Sequence, residues 1–94
     1  MPKFIIERDI PEIGFADADA LKAAAAKSNA VLAEMQSEHK DIAWDYSYVA
    51  GDKTFCVYNC ANADLIEEHS QRSGFPASIV TEVEAQISPA TAKS

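Results

Sequence analysis

The chain has 94 residues, 48% hydrophobic and 24% charged, and a net charge of −7 from 15 acidic and 8 basic side chains. That composition suits one folded domain over residues 1–94 with a single core. The acidic balance argues against a nucleic-acid partner or an anionic membrane surface, which both need a basic face. No apolar run approaches the ~20 residues of a membrane helix. The opening MPKFIIERD is charged early and lacks a signal-peptide core, so a cytoplasmic location is expected.

Lys3 to Asp9 reads as a strand, with Phe4 and Ile6 on one face and Ile5 and Glu7 on the other. Arg8 lies on the face opposite Glu7. Pro11 and Gly14 end the strand in a loop. Asp17 is placed to cap a helix reaching Met35 or Ser37, with an apolar stripe of Leu21, Ala25, Ser28, Leu32 and Met35. The alanines Ala23 to Ala26 favour helix and permit close approach to a sheet. SEHKD follows as a polar loop.

Ile42 to Val49 alternates as a second strand: Ile42, Trp44, Tyr46 and Tyr48 on one face, Ala43, Asp45, Ser47 and Val49 on the other. Ala50-Gly51-Asp52 forms a turn, so Lys53 to Cys60 returns as the antiparallel partner. Asn62 is set to cap a second helix that ends at Gly74 before Phe75-Pro76, with Leu65, Ile66, His69 and Ser73 inward. Ile79 to Ile87 is expected as the last strand, with Thr81, Val83, Ala85 and Ile87 inward. Residues from about 88 to 94 form a loose tail.

The order β-α-β-β-α-β implies an α+β, ferredoxin-like sandwich: a four-stranded antiparallel sheet with two helices on one face. The first three strands carry apolar or aromatic groups on both faces. The open face is therefore expected to be buried in a homodimer, near the aromatic residues of the central hairpin.

KFIIERDI at the start, SYV-x-x-DK-x-x-CVY in the hairpin and LI-x-EH-x-x-x-x-GFPA in the second helix resemble a family of small bacterial proteins. That family is classed as a domain of unknown function and has members described as nickel-binding. The resemblance runs from Pro2 to Pro89. It implies a ferredoxin-like fold, a homodimer and, in some members, nickel bound at the surface. Members often carry His where Tyr46 stands, so this chain lacks that ligand.

The chain contains no GxGxxG, P-loop or HExxH, and no ordering that signals a Ser-His-Asp triad. No nucleotide cofactor is expected, and nothing in the sequence decides whether the protein is an enzyme. Cys56 and Cys60 lie four apart on a strand, about 13 Å at ~3.3 Å per residue. A disulfide needs Cα atoms within about 7 Å, so reduced structural thiols are expected.

Two site readings stay open. Glu38, His39 and Asp41 could hold nickel or another divalent metal at the surface, or form a solvated loop. Glu7, Tyr46, Tyr48, Cys56, Tyr58 and His69 are candidates for a pocket holding an unknown small molecule. Within that set, His69 is read either as a packed imidazole with one hydrogen bond or as a ligand or base. Glu7 is read either as an edge ion pair or as the mouth of a cleft. The functions in competition are a metal-binding protein, a small-molecule binder or cofactor-free enzyme, and a plain interaction module.

Overall fold

The computed structural model describes residues 1–93. Its strands are β1 (Lys3–Asp9), β2 (Ile42–Ala50), β3 (Lys53–Cys60) and β4 (Ile79–Glu82), and its helices are α1 (Ala18–Ser37) and α2 (Ala63–Ser73). Short 3₁₀ turns occupy Ile13–Phe15 and Pro89–Lys93. The sheet runs β2-β3-β1-β4 and every neighbouring pair is antiparallel. With both helices on one face, this is the ferredoxin-like α+β sandwich. Among the described residues no helix is long and apolar enough to cross a membrane.

Local chemistry accounts for the element ends. Asp17 Oδ1 accepts from the Ala20 amide at 2.8 Å and caps α1. At the other end of α1 the His39 amide donates to Gln36 O and the Lys40 amide to Met35 O, a Schellman closure. His39 takes the left-handed position of that closure, at φ 65°. Asn62 occupies the N-cap position of α2, but its side chain makes no capping bond. Gly74 ends α2 at φ 82°, where its amide donates to Ser70 O. Gly51 has φ 61° at the first position of the two-residue β2–β3 turn, the pattern of a type II′ hairpin.

Phe4, Ile6, Leu32, Met35, Ile42, Tyr58, Cys60 and Ile66 form the core between helices and sheet. Cys56 and Cys60 are free, buried thiols.

Two strand readings need correction. The alternation of β2 breaks at a bulge between Trp44 and Tyr46. Asp45 is the extra residue, its carboxylate held by Asn59 Nδ2 at 2.8 Å and Lys3 Nζ at 3.2 Å. A single inserted residue reverses the facing of everything after it. Ile42 and Trp44 therefore face the helices, followed by Ser47 and Val49, while Tyr46 and Tyr48 move to the open face.

The last strand ends at Glu82 rather than Ile87, although the Val83 amide still donates to Lys3 O. Its phase is also reversed. Val80 sits opposite Ile6 and packs on the core, whereas Thr81 pairs with Ile5 on the open side. Alternation shows which residues share a face, and only the strand pairing shows which face the helices cover.

Candidate functional site

A cavity of about 230 Å³ lies between α1 and the sheet, at the end nearest the β2–β3 turn. Ile10, Ile13, Leu21, Ala24, Ala25, Val49 and Phe75 make its apolar wall. Arg8, Ser28, Thr54, Cys56 and Tyr58 supply the polar groups around it, with Trp44 and Ser47 at the β2 side. Alanines at 24 and 25 leave this space because a larger side chain there would fill it.

The β1–α1 connection closes one end. The Ile10 amide donates to Asp52 O at 2.9 Å, the Glu12 amide to Asp52 Oδ1 at 3.0 Å and the Gly14 amide to Gly51 O at 2.8 Å. Gly14 is needed for this approach, since a Cβ there would stand 2.7 Å from Gly51 O.

Arg8 is the most unusual wall residue. It shares the helix-facing side of β1 with Phe4 and Ile6 and is only 3% exposed. Its Nη1 donates to the carbonyls of Phe75 at 3.2 Å and Pro76 at 3.0 Å, which the left-handed turn at Gly74 presents to it. Its guanidinium carbon lies 5.9 Å from the centre of the Tyr58 ring, within cation–π range. Nη2 is buried with no partner, and among the described residues no carboxylate pairs with this side chain. A buried cation is ordinarily paired with an anion.

His69 projects from α2 beneath the cavity floor. Its Nε2 lies 3.1 Å from Ser28 Oγ, which is 3.5 Å from the Tyr58 hydroxyl. The His69 and Tyr58 rings are 5.6 Å apart. Burial first, and the Arg8 charge second, lower the His69 pKa from 6.5 to about 4, so the imidazole is neutral at pH 7. Among the described residues its Nδ1 has no partner. Without an orienting carboxylate the Ser28–His69 pair lacks the third member of a catalytic triad. Burial likewise raises the pKa of Tyr58, which stays a neutral phenol.

The six pocket candidates from the sequence therefore divide. Cys56 and Tyr58 line the cavity, and His69 contacts Tyr58 and Ser28 just behind it. Glu7, Tyr46 and Tyr48 lie on the opposite face of the sheet. Glu7 is 3.6 Å from Lys53 Nζ, and the Tyr46 and Tyr48 rings meet edge to face at 5.6 Å. Register is the reason: Glu7 is out of phase with Phe4 and Ile6, and the bulge turns the two tyrosines away. Arg8, Ser28 and Thr54 are the polar wall residues that sequence reasoning missed. The signal for Arg8 was present, as a charge in phase with Phe4 and Ile6 on a strand reading as core.

The three metal candidates do not gather. Glu38 is hydrogen-bonded first to Arg72 and then to Lys40, and these cations hold its pKa down to about 2. Arg72 binds Glu34 and Glu68 as well. His39 is fixed by its helix-ending backbone turn. Among the described residues no group of three or more His, Cys, Asp or Glu side chains is placed to hold a metal ion.

A family model described as nickel responsive protein SCO4226-like matches residues 4–83. No curated protein sequence matches the chain. Among solved structures, the crystal structure of SCO4226 from Streptomyces coelicolor A3(2) is similar, with a TM-score of 0.71 and 18% identity. The alignment covers 90% of this chain and 99% of that one, and at such identity it speaks for the fold alone. The family match runs from β1 past the end of β4, well over half the sequence, and the chain belongs to the SCO4226-like family of nickel responsive proteins.

Proposed function

We propose that this chain is a small-molecule-binding protein whose ligand occupies the cavity between α1 and the sheet. The observation that carries this reading is the cavity itself: about 230 Å³ of largely apolar space with a few polar groups converging at one side. That combination is the usual form of a ligand site. Scaled from a 150 Å³ apolar cavity that takes benzene, the space suits a ligand of roughly ten non-hydrogen atoms.

A thermal-shift series tests this. A ligand that binds only the folded protein must raise its melting temperature. Cyclohexylmethanol, a neutral apolar probe of suitable size, should raise the melting temperature of the native chain. It should have little effect on Ala25→Met, which fills the cavity. Equal shifts in both proteins would contradict the reading.

The family description favours a second reading, in which nickel binds at Glu38, His39 and Asp41. Imidazole and carboxylate suit the ion chemically. The arrangement does not support a centre there, because Glu38 would have to leave Arg72 and Lys40 and no third donor converges among the described residues. A nickel response also does not require coordination by the responding protein. Calorimetry decides between them: this second reading requires nickel affinity that His39→Ala abolishes. The cavity reading predicts no difference between the two proteins.

A further inference from the structure

We infer that the cavity selects a small monocarboxylic acid with an apolar body, its carboxylate pairing with Arg8. This inference rests on the cavity reading and adds the ligand's charge. Three observations carry it.

First, Arg8 is a cation buried at the cavity wall without an acidic partner, and its Nη2 is unsatisfied while Nη1 serves two carbonyls. A guanidinium offers donors in a fork that matches a carboxylate. A buried donor left without a partner is unfavourable, and Nη2 has no surface of its own open to the cavity, so a carboxylate would reach it through a small turn of the guanidinium.

Second, among the described residues no other cation lines the wall. The Ser28, Ser47, Thr54 and Tyr58 hydroxyls and the Cys56 thiol bring no further cation. His69 behind them is neutral at pH 7. One fixed positive charge suits a ligand of charge −1. A phosphate monoester or a dicarboxylate would bring a second charge into a protein of net charge −7 with no second cation in the cavity wall among the described residues.

Third, the rest of the wall is aliphatic and aromatic, from Ile10, Ile13, Leu21, Val49, Trp44 and Phe75. It would exclude a highly hydroxylated acid and accept a ring or branched alkyl group. A compact acid such as cyclohexanecarboxylate combines both requirements within the available volume.

The probes are cyclohexanecarboxylate, its neutral amide cyclohexanecarboxamide, and cyclohexylmethanol. Each is titrated into the native protein, with binding read from the emission of Trp44, the single tryptophan, which lines the cavity. The carboxylate should bind about tenfold or more tighter than either neutral probe, as expected of a charged hydrogen bond. In Arg8→Met the preference for the acid over both neutral probes should vanish.

Equal affinity for acid and neutral probes in the native protein would overturn the inference while leaving the cavity reading intact. Failure of all three to perturb Trp44 would overturn both. A preference for the acid that survives in Arg8→Met would overturn the assignment to Arg8. If Arg8→Met fails to fold, the acid-against-amide comparison on the native chain still decides, and its salt dependence gives a second readout.

Discussion

His69 shows how one residue links stability to the site. It is 1% exposed, and among the described residues its imidazole hydrogen-bonds to Ser28 alone. Its pKa falls from 6.5 to about 4 on folding. Between those values the unfolded chain binds more protons than the folded one, so stability rises with pH across the window. The contribution is complete above about pH 6.5, is lost as pH falls toward 4, and changes little below. The full loss amounts to roughly 3 kcal/mol. Urea unfolding at pH 7, 6, 5 and 4 should show this decline, and His69→Gln should flatten it. An unchanged slope in that variant would assign the effect to other groups.

The sequence signalled that His69 lies inward and needs a polar partner. It did not identify Ser28, because a small hydroxyl at stripe spacing on α1 reads as a packing residue.

The elements show which levels of the fold local pattern can reach. Element order, the cap at Asp17, the stop at Gly74 and the glycine turn at Gly51 follow from short-range chemistry and were legible in the sequence. The bulge at Asp45 was not, since it is held by Asn59 and Lys3 from other strands. Because one inserted residue reverses facing, that single feature moved Tyr46 and Tyr48 out of the site and brought in Ser47 and Val49.

The closure between the β1–α1 connection and the hairpin is a second tertiary feature, and it makes a prediction. Gly14→Ala would drive a Cβ to 2.7 Å from Gly51 O, which is backbone and cannot yield cheaply. Stability should fall by about 1–3 kcal/mol. Affinity for cavity ligands should fall with it, as Ile10 and Ile13 lose their position. Denaturation and Trp44 titration of the same variant check both effects, and native values for both would show that the closure does not shape the cavity.

At the scale of the molecule, the two faces of the sheet divide the work. One face packs on the helices and forms the floor of the cavity. The other leaves Ile5, Tyr46, Tyr48 and Ile79 exposed, with Tyr48 at 66% and Tyr46 at 51%. An apolar sheet face of this kind is expected to pair with a second copy of the chain. Light scattering at micromolar concentration should then return twice the 10.2 kDa chain mass, and Tyr48→Lys should halve it. A mass near 10.2 kDa for the native protein would show that the face stays open.

On the helix-covered face, the space between α1 and the sheet is expected to receive a ligand. Amide and indole chemical-shift mapping during titration with cyclohexanecarboxylate tests it most directly. Saturable shifts are expected at the Trp44 indole and at the backbone around Arg8, Ala25 and Thr54 to Tyr58, with the open-face residues Tyr46 and Tyr48 little changed. Absence of saturable shifts at the cavity, or shifts confined to the 38–41 surface, would contradict it.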